Sequence, residues 1–173
     1  MENFIKLMLA FGIGLLLVLL AMPKVIPFLH KMKFGQVERE EGLESHKKKG
    51  GTPTMGGVVF VLAAVIAAFV VNYKNITNPN LVLITIVLVG YSLIGFIDDA
   101  LIILKHQNEG LKAWQKFLMQ AILAVGCYLY LENFVPGFTT EVTIPIVKVN
   151  IDFGWFYAVL VFIMFTGESN GVN

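Results

Sequence analysis

The sequence has 173 residues, of which 57% are hydrophobic and 14% charged, with a net charge of +1 and a mean hydropathy of +0.75. Soluble domains average nearer half apolar and a quarter charged residues, so this composition departs from them towards membrane proteins. The single cysteine, Cys127, excludes an internal disulfide and a cysteine-based zinc cluster. It lies in an apolar run, where we expect a buried side chain.

Apolar segments occur five times along the chain, and each is a candidate to cross a bilayer whose core takes roughly 17–25 helical residues. Pro23 and Pro27 are expected to end the first helix, and no small-x-small site for cleavage of a signal peptide precedes them. The fold class predicted is an all-α polytopic membrane protein, a single transmembrane domain over residues 1–173. Its five transmembrane helices are predicted at 4–22, 55–71, 81–97, 117–131 and 153–165.

Lysine and arginine residues concentrate in two of the predicted loops. Segments 23–54 and 98–116 hold ten of the thirteen, whereas Lys6, Lys74 and Lys148 fall on the opposite side. Because cytoplasmic loops carry the excess of positive charge, we predict that the N-terminus lies outside and both basic loops lie in the cytoplasm.

The segment between the fourth and fifth helices has a period of two. Apolar residues at 142, 144, 147, 149 and 151 alternate with polar ones, and Pro145 lies between the two halves. This pattern predicts a small β-hairpin on the outer surface.

Two adjacent carboxylates, Asp98 and Asp99, are expected to end the third helix at the cytoplasmic boundary. Charge near hydrocarbon is tolerated mostly where it faces a cavity or a partner, and the helix dipole disfavours a carboxylate at a C-terminus. Adjacent helical side chains point roughly 100° apart, so one could face a metal or a nucleophile while the other orients a lysine. The alternative is a plain marker of the helix end.

The stretch 47–57 joins a basic run to the second predicted helix. Thr52 and Thr54 are natural N-caps, and helix N-termini attract anions. Lysines beside such an end predict a phosphate or carboxylate site, although the order of a Walker A loop is absent. Alternatively, the lysines anchor the cytoplasmic face, while Gly56 and Gly57 permit close packing.

Two further polar pairs lie near the last two helices. Lys112 and Lys116 are four residues apart and would share a helical face, as substrate ligands or as interface anchors. Asn170 and Asn173 would also share a face and could hydrogen-bond a polar ligand, unless the segment is a frayed terminus.

Four elements of the sequence, in this order and at these intervals, resemble the phospho-N-acetylmuramoyl-pentapeptide transferase (MraY) family over essentially the whole chain. The first, of nine residues, is the specific one, because the aspartate pair occurs across the wider superfamily of polyprenyl-phosphate sugar-phosphate transferases. The elements are Lys49-Gly50-Gly51-Thr52-Pro53-Thr54-Met55-Gly56-Gly57, Gly95-Phe96-Ile97-Asp98-Asp99, Gln115-Lys116-Phe117 and Ser169-Asn170-Gly171-Val172-Asn173.

The resemblance implies an enzyme of the bacterial inner membrane with a cytoplasmic active site. Undecaprenyl phosphate attacks UDP-N-acetylmuramoyl-pentapeptide, releasing UMP and leaving lipid I, in a Mg²⁺-dependent step of peptidoglycan synthesis. Phosphoryl transfer needs charge neutralisation and positioning, which suits carboxylates that hold Mg²⁺ and lysines that offset a pyrophosphate. The implied partners are both substrates, membrane lipids and a second copy of the chain in a homodimer, but not nucleic acid.

Residue roles follow from the same resemblance. Asp98 and Asp99 take the catalytic positions and are the implied metal ligands, with Asp98 activating the lipid phosphate. The implied substrate-binding residues are Lys49, Thr52, Thr54, Lys116, Asn170 and Asn173.

The chain departs from the family pattern in three respects. Ile102 stands where the family often has a lysine, and Glu168 and Gly171 replace smaller or commoner residues. The family continues past its asparagine motif into further helices with a third catalytic aspartate and a histidine-rich loop. The resemblance therefore implies the N-terminal half of a roughly ten-helix fold, and we expect residues 1–173 alone to be inactive.

Two alternatives to this transferase stay open. The first is a related enzyme that transfers N-acetylglucosamine phosphate to the same lipid. The second is a non-catalytic, truncated membrane scaffold.

Overall fold

The computed structural model describes residues 1–31, 55–105, 110–145 and 148–171, with only the backbone of Asn170 and Gly171. Five α-helices and one β-hairpin occur within these ranges, and short 3-10 helices cover Tyr73–Asn75 and Gly154–Phe156. The α-helices are α1 (Glu2–Lys31), α2 (Gly57–Val71), α3 (Pro79–Lys105), α4 (Ala113–Phe134) and α5 (Tyr157–Gly171).

Three of these helices, α1, α3 and α4, are long and apolar enough to cross a membrane, with 30, 27 and 22 residues. The apolar segments that contain α2 and α5 are shorter. Large apolar side chains remain exposed along α1, including Phe4, Leu16 and Leu20. Such exposure is expected where hydrocarbon replaces water around a helix whose backbone groups are bonded internally. These are the features of a helical membrane protein, as the composition predicted.

Two helices continue past the residues that were expected to end them. The first does not end at its prolines, because α1 contains both Pro23 and Pro27 and ends at Lys31. A helix in an apolar environment continues past proline when nearby groups take up the freed carbonyls. The third does not end at its aspartates, because α3 continues through apolar residues 100–104 to Lys105.

The second helix begins later than predicted. The N-cap of α2 is Gly56, a residue without a side chain to cap the helix. Thr52 and Thr54, the natural N-caps expected here, lie outside the described residues. Met55 immediately before it has φ 69°, in the left-handed region that costs a residue with a Cβ roughly 1–2 kcal/mol. The backbone therefore turns sharply at Met55, immediately before the helix begins.

The chain divides into two compact units. The first comprises Met1–Ile76 and Ser92–Lys112. In it, α1 packs against α2 through small residues: Ala63 and Ala67 are buried, and a Cβ placed on Gly14 would lie 3.9 Å from that of Ala67. Small residues allow two helices to approach closely, which is a common basis for helix association in membranes.

The second unit comprises Thr77–Tyr91 and Ala113–Asn173. Its buried residues include Ala124 and Cys127 of α4 and Val161 of α5, which confirms the buried position predicted for Cys127. Aromatic rings also pack edge to face in this unit, with 4.8 Å between the centroids of Phe117 and Phe162. This packing joins α4 to α5.

The predicted β-hairpin is present in the second unit. Strand β1 (Glu141–Ile144) pairs antiparallel with β2 (Val149–Asp152), and Val142 lies opposite Ile151. Apolar residues therefore share one face of the hairpin, as the alternation predicted, while Val147 lies outside the described residues.

Candidate functional site

Asp98 is half-buried within α3, two turns before the helix ends, and belongs to the first unit. The backbone N–H of Leu111 donates a hydrogen bond to its Oδ1 atom at 2.7 Å, across 13 residues of sequence. A hydrogen bond from an N–H group to an ionised carboxylate is stronger than one between neutral groups. The chain that follows α3 thus returns to Asp98 and holds one of its oxygens.

The approach of this segment is close enough to require a glycine. A Cβ added to Gly110 would overlap Asp98 Oδ1 and would lie 2.8 Å from both its Cγ and its carbonyl oxygen. Neither Gly110 nor Leu111 was among the residues predicted for the site. The only signal in the sequence is a glycine after a long helix, which indicates a turn but not what the turn contacts.

Asp99 follows Asp98 on the same helix and is also half-buried. Both carboxylates make interactions with other groups in the described structure. Within residues 1–31, 55–105, 110–145 and 148–171, no three His, Cys, Asp or Glu side chains cluster as metal ligands do. The pair nevertheless fits Mg²⁺, which prefers hard oxygen ligands and commonly takes only one or two carboxylates alongside phosphate oxygens.

Lys116 belongs to the second unit and lies half-buried in the first turn of α4. Lys112 precedes that helix and belongs to the first unit, so the prediction that the two lysines share a helical face is wrong. The helix starts at Ala113, two residues after Leu111, whose N–H donates to Asp98.

Gln120, one turn after Lys116, is a buried polar residue with 5% exposure. Its Nε2 atom donates to Ser169 Oγ at 3.3 Å, and Ser169 precedes Asn170 in α5. The start of α4 and the end of α5, which carry two of the predicted substrate-binding residues, therefore lie together in this unit. Gln120 was not predicted, because a single amide within an apolar helix does not indicate its partner.

Several predicted site residues lie outside the described part of the chain. The side chain of Asn170 is also outside it, although its backbone is helical. The others are Lys49, Thr52, Thr54 and Asn173.

A known protein family matches the part of the chain that contains these residues. The model of glycosyl transferase family 4 matches residues 81–173, a range that includes Asp98, Asp99, Lys116 and Asn170. The chain belongs to this family. In addition, signature 1 of the phospho-N-acetylmuramoyl-pentapeptide-transferases matches residues 49–61, which contain the nine-residue element. The resemblance stated from the sequence motifs is thereby confirmed.

Curated relatives agree with the signature. The chain is 42% identical over 168 residues to the phospho-N-acetylmuramoyl-pentapeptide-transferase of Halalkalibacterium halodurans. The matched region covers 96% of this chain and 51% of that relative. The chain is also 42% identical over 161 residues to the Bacillus subtilis enzyme of the same name, covering 92% and 49%. For the Staphylococcus epidermidis enzyme the identity is 42% over 163 residues, covering 93% and 50%. The chain thus spans about half the length of the curated relatives it matches.

Proposed function

We propose that the complete protein transfers phospho-N-acetylmuramoyl-pentapeptide from its UDP carrier to undecaprenyl phosphate, giving lipid I and UMP. The observation that carries the proposal is the carboxylate pair in α3, in which Asp98 is held by the Leu111 N–H at 2.7 Å. The family match over residues 81–173 and the signature over 49–61 support the choice of reaction.

The reaction exchanges one phosphorus–oxygen bond for another. An oxygen of undecaprenyl phosphate bonds to the phosphorus linked to the sugar, and the bond from that phosphorus to the bridging oxygen of UMP breaks. UMP leaves with the electron pair. Asp98 accepts the proton of the lipid phosphate as its oxygen attacks, and the Leu111 N–H holds the carboxylate in orientation.

The proposal includes Mg²⁺, for which the oxygen atoms of Asp98 and Asp99 are suitable ligands. Bound there together with substrate phosphate oxygens, the ion would neutralise charge that develops on the diphosphate. The roles of Lys49, Thr52, Thr54, Lys116, Asn170 and Asn173 in binding the nucleotide and the phosphates come from the family motifs and are part of the proposal.

The orientation in the membrane belongs to the same proposal. Ten of the thirteen lysine and arginine residues lie in segments 23–54 and 98–116, which the positive-inside rule assigns to the cytoplasm. Asp98 is the first residue of the 98–116 segment, so the site would face the compartment that supplies nucleotide sugars. A basic surface there would also attract both anionic substrates.

The proposed function is tested by measuring UMP release from UDP-N-acetylmuramoyl-pentapeptide with undecaprenyl phosphate and Mg²⁺. We expect the complete wild-type protein to release UMP and Asp98→Asn to lower kcat by roughly 10²–10⁴-fold, the range typical for loss of a general base. Asp152→Asn is the matched control, because Asp152 is an exposed carboxylate in β2, and it should retain wild-type activity.

Two outcomes would contradict the proposal. Release of UMP from UDP-N-acetylglucosamine but not from the muramoyl donor would assign a different sugar phosphate. Full activity of Asp98→Asn would show that Asp98 is not the proton acceptor.

A further inference from the structure

The segment formed by Gly110 and Leu111 lies directly against the Asp98 carboxylate. Leu111 donates its N–H to Oδ1 at 2.7 Å, and the Gly110 Cα is so close that a Cβ would overlap the same oxygen. All three residues belong to one compact unit. We infer that Gly110 is a positioning residue for the Asp98 carboxylate, an inference that rests on the function proposed above.

A side chain at position 110 could not be accommodated by rotating Asp98 alone. The added Cβ would also lie 2.8 Å from the carbonyl oxygen of Asp98, which is part of the α3 backbone. Because a helix backbone resists displacement, the Gly110 segment has to move away instead. That movement carries the Leu111 N–H away from Oδ1, and the carboxylate loses the bond that fixes its rotamer.

The position of this carboxylate matters because proton acceptance depends on distance and direction. A displacement of about 1 Å at a reacting group can cost roughly 100-fold in rate. Gly110 does not itself reach the substrate in this scheme. It allows the backbone to approach Asp98 closely enough for the Leu111 N–H to bond, and so acts through Asp98.

The test is Gly110→Ala in the complete protein, assayed for UMP release. We expect kcat to fall by roughly 10- to 100-fold, in line with a misplaced catalytic group. The KM for the nucleotide sugar should change by less than about threefold, because the lost interaction acts on the transition state. Gly126→Ala is the matched control: it makes the same substitution within α4, where a Cβ meets nothing within 4 Å, and should leave both constants unchanged.

A double-mutant cycle distinguishes positioning of Asp98 by Gly110 from a purely structural role of Gly110. In the Asp98→Asn background, Gly110→Ala should lower the residual kcat by less than about twofold, because interacting sites are not additive. A multiplicative loss in that background, or a Gly110→Ala enzyme with wild-type kcat, would overturn the inference.

Thermal stability tests the contact between Gly110 and Asp98 without an activity assay. The thermal midpoint of Gly110→Ala, relative to its parent, should fall less in an Asp98→Ala background than in the wild type, since the truncation removes Oδ1 and Cγ from the overlap. An equal fall in both backgrounds would show that Gly110 does not act on this carboxylate. If the wild type releases no UMP from either donor, the proposed function fails, while this comparison still decides the contact.

Discussion

Asp152 in the hairpin is a titratable residue whose hydrogen bonds give it a clear pH dependence. Its carboxylate accepts hydrogen bonds from the Thr140 hydroxyl and from the Gly154 N–H, the latter at 2.9 Å. The side-chain bond from Thr140 and then the backbone bond from Gly154 lower the pKa of Asp152 from its ordinary value. Because the folded pKa is the lower one, this stabilisation is present above the unfolded value of about 3.9 and is lost as pH falls through the folded pKa.

We therefore expect the base of the hairpin to lose protection from amide hydrogen exchange as pH falls below about 4, after correction for intrinsic exchange rates. Mass spectrometry of a peptide covering 140–154 would report it, since Phe153 also donates its N–H to the Thr140 carbonyl at 3.1 Å. Asp152→Asn keeps an acceptor oxygen but does not titrate, so its protection should stay constant. The same acid-dependent loss in this variant would show that another group is responsible.

The role or burial of a single residue could be predicted where its own type and its sequence neighbours were enough to indicate it. Asp98 stands out because a carboxylate in an apolar helix is costly, and Cys127 because its neighbours are apolar. The bond from Leu111 to Asp98 and the bond from Gln120 to Ser169 could not be predicted, since each joins residues far apart in sequence. Such contacts depend on how segments return to one another, which residue type alone does not specify.

At the scale of elements, the packing of α3 on α4 in the second unit depends on Gly90. A Cβ placed on Gly90 would lie 2.7 and 2.8 Å from the two Cδ atoms of Leu123 and 3.3 Å from its Cγ. We expect Gly90→Ala to destabilise the protein by about 1–3 kcal/mol, the usual cost of overpacking. Detergent unfolding curves would measure the change, with Gly95→Ala in the same helix as the control, because nothing lies within 4 Å there.

Truncating Leu123 tests whether overlap with its side chain, and not alanine itself, causes the destabilisation by Gly90→Ala. In a Leu123→Ala background, Gly90→Ala should become neutral or stabilising, because the atoms that a Cβ would meet are absent and glycine is the poorer helix former. Equal destabilisation in both backgrounds would exclude Leu123 as the cause.

Elements were predicted well where one periodicity dominates, and poorly at their ends. The alternation over 142–152 predicted the hairpin, and the apolar runs predicted the helices. The end of α3 was misplaced because a pair of charges was expected to stop a helix, whereas Ala100 and the apolar residues after it continue the pattern to Lys105. The second helix was predicted to start at Met55, but the backbone turns at that residue and α2 begins at Gly57.

At the scale of the whole molecule, the proposed orientation requires α2 to cross the membrane. Its 15 residues span about 22 Å, less than the roughly 30 Å of a hydrocarbon core. A short helix can still cross when the bilayer thins locally or when flanking residues extend to the interface. The structure describes Met55 and Gly56 before the helix, and Asn72 followed by the 3-10 helix Tyr73–Asn75 after it.

If α2 crosses, Asn75 lies outside the cell and Lys112 inside, so labelling with a membrane-impermeant maleimide tests the arrangement. Single cysteines introduced by Asn75→Cys and by Lys112→Cys should differ: intact cells should label only the first, and permeabilised cells both. The native Cys127 is 1% exposed, so little labelling of the wild-type chain is expected. The wild-type chain therefore measures the background labelling and serves as the control. Labelling of Asn75→Cys only after permeabilisation would place Asn75 in the cytoplasm and contradict the proposed crossing of the membrane by α2. The positive charge of segments 23–54 and 98–116 would then no longer suffice to assign the side on which Asp98 works.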